Sequence, residues 1–164
     1  MQSERPDFLL ILRTLAKRNV DFIIVGGVCA VLHGAPISTF DLDLVHSREP
    51  EDLRRLLRAL EELHARYRDP AGRIIKPTQQ DLSSPGHHLL ITRGGPLDLL
   101  GEIGAGRGYE DLLPDTINID LSEDVQVRVL SLKALIREKQ EMGRQKDEAV
   151  LNILRTTVEE RDGG

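Results

Sequence analysis

Two aspartates separated by one residue are the part of this sequence that most clearly indicates chemistry. Asp41 and Asp43 lie in an apolar stretch, where side chains are expected to alternate between the two faces of a strand. The two carboxylates would then share one face, while Phe40, Leu42 and Leu44 would point toward a core. Two oxygen ligands held close together suit Mg²⁺, which completes its shell with water and substrate phosphate. The spacing therefore predicts a metal site for nucleotide chemistry.

A third acidic residue repeats this pattern further along the chain. Asp98 lies between Leu97 and Leu99, in the second strand of a predicted hairpin, so its carboxylate can reach the same face from a neighbouring strand. Three converging carboxylates can hold two divalent ions, which activate an attacking hydroxyl and stabilise a leaving pyrophosphate. We therefore predict that Asp41, Asp43 and Asp98 bind the metal, and that Asp98 draws the proton from the acceptor hydroxyl.

Residues suited to phosphate contact precede the aspartate pair. Gly26 and Gly27 lie at a predicted turn from a strand into a helix, where backbone amides and the helix start can face phosphate oxygens. Ser38 and Thr39 can hydrogen-bond phosphate or order the first turn of the next strand. A nicotinamide-dinucleotide site is not indicated, because Ala30 stands where its fingerprint needs a third glycine.

Basic residues are concentrated near the C-terminus. The stretch contains Arg128, Lys133, Arg137, Lys139, Arg144 and Lys146. A lysine on a helix over the sheet can neutralise triphosphate charge, so we predict this role for Lys139 and nucleotide contact for Arg144 and Lys146. A solvated helix whose charges form salt bridges is the alternative for each of these residues.

The predicted elements that position these residues mix strands and helices. Helices are expected over residues 8–17, 28–33, 49–67, 131–142 and 146–159, from helical spacing of apolar residues. Strands are expected over residues 21–25, 40–45, 74–75, 88–92, 97–100, 116–121 and 125–129, with a hairpin turned at Gly94 and Gly95. The glycine-rich segment 101–108 is interpreted as a mobile connection, and Ser131 as the cap of a helix.

Composition bounds the class of protein. The chain has 164 residues, 3% aromatic residues and no Trp, so we expect one domain whose core is aliphatic. The net charge of −5 argues against a broad DNA-binding surface. No apolar run is long enough for a membrane span and the N-terminus lacks a signal-peptide pattern, so a cytoplasmic location is expected. Cys29 is the single cysteine, which excludes an internal disulfide and indicates a small buried hydrophobe.

The order and spacing of the motifs resemble the stand-alone prokaryotic nucleotidyltransferase-like proteins of the DNA polymerase β superfamily, including minimal nucleotidyltransferases and abortive-infection-type toxins. The motifs are Val25-Gly26-Gly27, His33-Gly34-Ala35-Pro36, Ser38-Thr39-Phe40-Asp41-Leu42-Asp43, Leu97-Asp98-Leu99-Leu100, Val129-Leu130-Ser131-Leu132 and the segment from Lys139 to Asp147. The resemblance implies an α+β fold with a central mixed sheet flanked by helices. In a single domain over 1–164, residues 20–130 would form the catalytic sheet core and residues 131–160 the C-terminal helices.

The resemblance also implies an activity. Such a protein would use Mg²⁺ or Mn²⁺, held by residues matching Asp41, Asp43 and Asp98, to move a nucleoside monophosphate from a triphosphate such as ATP to a hydroxyl. The acceptor would be a protein, an RNA or a small molecule. The chain departs from many relatives at Ile37, where a basic residue is common, and at Val150, where an acidic one is common. The alternative is therefore a slow or non-catalytic nucleotide-binding regulatory module, such as one member of a toxin–antitoxin pair.

Overall fold

A computed structural model of the chain describes residues 5–142 and 145–163, with the side chains of residues 142, 145–149 and 162–163 outside the description. The helices are α1 (Phe8–Lys17), α2 (Gly26–Leu32), α3 (Pro50–Glu62), α4 (Gln79–Leu82), α5 (Tyr109–Leu112), α6 (Leu132–Met142) and α7 (Gln145–Gly163). The strands are β1 (Phe22–Val25), β2 (Leu42–His46), β3 (Arg66–Tyr67), β4 (His87–Thr92), β5 (Gly95–Leu100), β6 (Thr116–Ser122) and β7 (Val125–Leu130).

The described strands form one mixed sheet of seven, in the order β3-β4-β5-β2-β1-β7-β6. The pairs β2 with β5 and β1 with β7 are parallel, whereas the other neighbours are antiparallel. The α+β architecture with a central mixed sheet is confirmed. The predicted hairpin is also confirmed, because β4 and β5 pair on either side of the turn before Gly95. The order of strands places β2 beside β5 at the centre of the sheet.

Local sequence explains where the helices begin. Asp7 accepts a hydrogen bond from the Leu10 amide at 3.1 Å at the start of α1, and Pro50 occupies the first turn of α3. The predicted cap of α6 is confirmed, since Ser131 Oγ accepts from the Ala134 amide at 3.2 Å. Each such cap satisfies an amide without a helical partner and contributes about 1 kcal/mol.

The helix predicted over residues 49–67 is shorter than expected. α3 ends at Glu62, and His64 has a φ of 53°, which lies outside the right-handed helical region. The chain then enters β3, where Tyr67 pairs with Leu90 of β4. Pairing with a distant strand thus overrides the local helical pattern at its end, and helical spacing alone gives no sign of that pairing.

Two predictions about strands are wrong. Residues 74–75 do not form a strand; Ile74 is 74% exposed, and the segment touches the sheet through a hydrogen bond from the Tyr67 amide to the Ile75 carbonyl at 2.8 Å. Phe40 does not face the core, because β2 begins at Leu42 and Phe40 is 72% exposed. The error at Phe40 extends a strand pattern beyond the start of β2, and the error at residues 74–75 assigns a strand to two apolar residues in a loop.

Within the described part of the chain, none of the helices combines the length and apolar character needed to cross a membrane. Of the predicted basic residues near the C-terminus, Arg144 lies outside the described residues. Lys146 belongs to α7, but its side chain lies outside the description as well. The predicted contact of Arg144 and Lys146 with nucleotide therefore stays a prediction, whereas the structure gives the position of Lys139 on α6.

Candidate active site

Neighbouring strands place two of the predicted acidic residues side by side. β2 and β5 run parallel in a register that aligns Asp43 with Asp98. Aligned residues on adjacent strands have their side chains on the same face of a sheet, so these two carboxylates project together. Leu42 and Leu44, on the opposite face, are fully buried. Asp41 precedes β2 and is half-buried, close enough for its charge to act on Asp43.

The start of α2 approaches these acids closely because two glycines are there. Gly26 has a φ of 68°, and a Cβ atom added to it would overlap with the Asp43 carboxylate. A Cβ atom on Gly27 would lie 2.6 Å from Thr39 Oγ1, nearer than packed atoms come. Glycine at both positions therefore lets the backbone of α2 lie against Asp43 and Thr39. The separate turn predicted before this helix is wrong, since α2 itself begins at Gly26.

The residues between α2 and β2 have a structural role here. Thr39 Oγ1 donates a hydrogen bond to the Asp41 carbonyl at 3.2 Å, which orders the segment that enters β2. This is one of the two roles predicted for Ser38 and Thr39. Ser38 is exposed, and contact of Gly26, Gly27, Ser38 and Thr39 with phosphate stays a prediction.

Asp43 carries an unfavourable charge in the folded protein. The pKa of its carboxyl is raised from 3.8 to about 7, with burial as the largest cause and the neighbouring carboxylates of Asp98 and Asp41 as further causes, while Lys139 acts in the opposite direction. One oxygen of this carboxylate, Oδ1, is buried without a hydrogen-bond partner. A buried acceptor without a donor costs free energy, so the site favours a cation at this oxygen.

Arg68 contacts the third acidic residue and was not predicted from the sequence. Its guanidinium donates from Nη2 to Asp98 Oδ1, and its Nε donates to the Leu90 carbonyl at 3.0 Å. The contact depends on the pairing of β3 with β4, and residues 66 and 67 were assigned to a helix. No spacing in the sequence links Arg68 to Asp98, which lies 30 residues further along.

A cavity of about 800 Å³ opens over these acids. It brings together four of the predicted site residues, Gly26, Asp43, Asp98 and Lys139. Asp41, Ser38 and Thr39 are not among the described residues that line the cavity. The other walls are Val25, His87, Leu89, Leu100, Glu102, Ile103, Gly104, Ala105, Leu130, Leu135, Glu138 and Glu141. A cavity of this size lies within the range of small-molecule binding sites, which span about 300–1,000 Å³.

An ion-pair cluster closes one side of the cavity and was also missed. Arg107 Nη2 lies 2.6 Å from Glu138 Oε1 and also contacts Glu141. Glu138 is buried, which raises the pKa of its carboxyl, and the backbone of Gly104 packs against it. In the segment interpreted as a mobile connection, Ile103 and Arg107 form a β-bridge. The sequence gave no sign that Arg107 would meet these two glutamates.

The chemistry of the donors fits a divalent metal ion. Asp43 has a buried oxygen without a partner and two neighbours of like charge. A divalent cation that prefers oxygen ligands would bind this oxygen and offset the negative charge. As the side chains lie in this structure, no three described His, Cys, Asp or Glu residues are placed together to hold such an ion. Asp98 already lies within hydrogen-bonding reach of Asp43, but Arg68 occupies its Oδ1 and would have to release that oxygen to a metal ion.

Two further residues, Cys29 and His33, make contacts that belong to the packing of the fold. Cys29 is buried, its Sγ donates to the Leu130 carbonyl at 3.3 Å, and burial raises the pKa of the thiol to about 12. Its interpretation as a small buried hydrophobe is confirmed. His33 is buried as well, with Nε2 2.7 Å from the same carbonyl and Nδ1 2.9 Å from Arg161 of α7. This histidine links α2 to the C-terminal helix and does not line the cavity.

No protein-family model matches the sequence, and no curated protein matches it. Solved structures do resemble it. The lincosamide antibiotic adenylyltransferase LnuA, lincomycin-bound, aligns with a TM-score of 0.60 at 12% identity, over 92% of this chain and 96% of that one. ANT(2'')-Ia in complex with adenylyl-2''-tobramycin gives 0.58 at 17%, over 92% and 87%. TM1012 from Thermotoga maritima, which is named as a nucleotidyltransferase, gives 0.55 at 19%, over 92% and 94%. The chain therefore has a nucleotidyltransferase-like fold.

Proposed function

We propose that the protein is a metal-dependent nucleotidyltransferase, which moves a nucleoside monophosphate from a nucleoside triphosphate to a hydroxyl acceptor and releases pyrophosphate. The observation that carries the proposal is the alignment of Asp43 with Asp98 beneath a cavity, with a buried oxygen of Asp43 left without a partner. The close approach of Gly26 to that carboxylate supports it. The fold supports it independently, since the solved structures it resembles include TM1012, named as a nucleotidyltransferase, and LnuA, named as an adenylyltransferase.

In this proposal Asp41, Asp43 and Asp98 hold Mg²⁺ or Mn²⁺. The metal would stabilise charge on the reacting phosphate and the leaving pyrophosphate. The acceptor oxygen bonds to the α-phosphorus, the bond from that phosphorus to the bridging oxygen breaks, and pyrophosphate leaves with the electron pair. Asp98 takes the proton of the acceptor hydroxyl. Lys139 lines the same cavity and offsets the negative charge of the triphosphate.

We infer that the acceptor is a small hydroxylated molecule and that ATP is the first donor to test. The structure of LnuA is lincomycin-bound and that of ANT(2'')-Ia contains adenylyl-2''-tobramycin, so this fold accommodates small acceptors and adenylyl transfer in other proteins. The cavity here is of the size of small-molecule binding sites. Protein and RNA acceptors are included in the test below.

The test is transfer of label from triphosphates labelled at the α-phosphate, with Mg²⁺ and hydroxylated small molecules, RNA or cell extract as acceptor. We expect labelling of an acceptor together with release of pyrophosphate. The Asp41→Ala, Asp43→Ala double variant should lower the rate at least about a thousandfold, because it removes several kcal/mol of charge stabilisation. Glu123→Gln, in the exposed turn between β6 and β7, is the control. Full labelling by the double variant would falsify the assignment.

A non-catalytic nucleotide-binding regulatory module is the second candidate. Two observations favour it. Arg68 contacts Asp98, and Ile37 and Val150, the two departures from the family pattern, pack against the hydrophobic core. Calorimetry that shows binding of Mg²⁺ and ATP, without transfer to any of the acceptors, would support this candidate. So would a partner protein, as in a toxin–antitoxin pair, that binds the wild type and the double Asp variant equally well.

A further inference from the structure

Arg68 belongs to a row of residues that crosses the sheet on the same face as the candidate site. The Arg68 amide donates to the Leu89 carbonyl at 3.0 Å, which extends the β3–β4 ladder by one residue beyond Tyr67. Leu89 is aligned with Asp98, and Asp98 with Asp43. Since aligned residues share a face, the row runs from a cation at the sheet edge to the buried acid at the centre.

The side chain of Arg68 reaches along this row. Its Nε is fixed by the Leu90 carbonyl at 3.0 Å, and its Nη2 contacts Asp98 Oδ1. The ion pair is half-shielded from water, since the side chains of Arg68 and Asp98 are 34% and 16% exposed. Leu89 of β4 lies between Arg68 and Asp98 in this row, and it lines the cavity. The guanidinium thus reaches Asp98, which lines the cavity, and two hydrogen bonds define its position.

Asp98 lies between one group that repels its carboxylate and one that attracts it. Asp43 lies beside it on β2 and carries a like charge, whereas Arg68 offers a charge-assisted hydrogen bond. An oxygen that accepts from a guanidinium has fewer lone pairs free for a metal ion, and the guanidinium also repels a divalent cation. Arg68 and a metal ion at Asp43 and Asp98 therefore compete for the same carboxylate.

We propose that Arg68 is a positioning residue that occupies Asp98 Oδ1 in the ligand-free protein and so withholds this oxygen from a metal ion, and that it leaves Asp98 for the triphosphate when nucleotide enters. The proposal rests on the proposed function of the site. An arginine fork binds phosphate oxygens as well as carboxylate oxygens, so a bound triphosphate provides the alternative partner. Metal and nucleotide then bind cooperatively, because nucleotide frees a ligand for the metal. This arrangement limits binding of metal in the absence of substrate.

The test is the affinity for Mn²⁺ in calorimetric titrations of the wild type and Arg68→Gln, without nucleotide and with a non-hydrolysable ATP analogue. Without nucleotide we expect Arg68→Gln to bind Mn²⁺ roughly fivefold more tightly, the size expected for loss of a partly exposed ion pair. With the analogue the difference should shrink, so the variant has weaker coupling between metal and nucleotide. Arg66→Gln is the matched control, because Arg66 is an exposed residue of the same strand, two positions away.

The outcomes separate the proposal from its alternatives. Equal Mn²⁺ affinity in the wild type and Arg68→Gln, or weaker binding by the variant, overturns it, because Arg68 would then be inert or would help to build the metal site. An equal gain in Arg66→Gln also overturns it, since a general charge effect would explain both. If Arg68→Gln does not fold, Arg68→Lys is the second variant; it keeps the charge, loses the fork and should show a smaller gain. No Mn²⁺ binding by any protein, even with the analogue, contradicts the proposed function itself.

Discussion

Asp43→Asn should make the metal-free protein more stable at pH 8 while it abolishes nucleotidyl transfer. The pKa of Asp43 is raised from 3.8 to about 7, with burial as the largest cause and the charges of Asp98 and Asp41 next. At pH 8 the folded protein must therefore hold a carboxylate that burial and its neighbours disfavour. An asparagine of the same size removes that charge, so we expect a gain on the order of 2 kcal/mol in the free energy of unfolding.

The dependence on pH follows from the direction of this shift. Because the folded pKa is above the unfolded one, the folded protein binds more protons between pH 4 and pH 7, and the stability from protonated Asp43 is lost as pH rises through that window. The stability difference between Asp43→Asn and the wild type should be small near pH 4 and reach a plateau above pH 7. Urea unfolding at several pH values measures it. Glu123→Gln, which removes one exposed charge, should show no such window.

Metal ions should reverse the order of stability. If Asp43 is a ligand, saturating Mg²⁺ with ATP stabilises the wild type by mass action and leaves Asp43→Asn nearly unchanged. The variant should also fall at least about a thousandfold in transfer rate, for the reason given for the double variant. A variant that is less stable than the wild type at pH 8 contradicts the electrostatic argument. A stable variant that transfers nucleotide at the wild-type rate contradicts the role in the reaction.

The part of the site that local sequence could predict is the part built by alternation within single strands. Asp43 and Asp98 each lie between leucines, and the hairpin that carries Asp98 has its own turn signal. What the sequence alone could not give is which strands are neighbours. The parallel register of β2 and β5 is a long-range property, yet it decides that the two carboxylates face the same cavity.

The residues that were missed all depend on contacts between distant segments. Arg68 meets Asp98 through a two-residue edge strand, which is too short to show a period of its own. Arg107 meets Glu138 across the cavity wall, and neither residue belongs to a recognisable motif. Phe40 shows the opposite error, in which an alternating pattern continued past the start of β2. Local periodicity thus indicates an element but does not fix its ends or its partners.

Two basic residues, one predicted and one missed, act on the acids of the site. Asp43 and Asp98 lie side by side in the folded chain, and each has a cation that offsets its charge. Lys139 lowers the pKa of Asp43, and Arg68 contacts Asp98. Both cations are suited to phosphate as well. The same side chains that stabilise these carboxylates are therefore the ones that a triphosphate would attract.

The Gly26→Ala variant should be less stable and less active than the wild type. Both losses should exceed those of a Gly-to-Ala change at another glycine with a similar backbone conformation. Gly26 has a φ of 68°, where an L-residue costs about 1–2 kcal/mol. In addition, the new Cβ atom would overlap with the Asp43 carboxylate. Either the start of α2 or Asp43 must move, and a displacement of about 1 Å at a reacting group is expected to lower the rate roughly a hundredfold.

Gly72→Ala is the matched control for this change. Gly72 has a φ of 74°, and a Cβ atom there would meet nothing within 4 Å, so it carries the backbone cost without the collision. We expect Gly72→Ala to lower the free energy of unfolding by about 1–2 kcal/mol and to keep wild-type transfer. Thermal or urea unfolding and the labelled-triphosphate assay measure both effects. If the two alanine variants behave alike, Gly26 is needed for its backbone conformation alone.

A double-mutant cycle separates the collision from the backbone cost. In an Asp43→Ala background the carboxylate that Gly26→Ala would strike is gone, so the second substitution should cost only the backbone term of about 1–2 kcal/mol. The coupling free energy between the two positions should then be at least about 1 kcal/mol, the range measured for residues in contact. Additive effects would mean that the backbone at the start of α2 moves to relieve the collision and that Asp43 does not. A positive coupling would show that glycine is required here by the carboxylate it faces, which ties the double-glycine motif physically to the acid that we propose as a metal ligand.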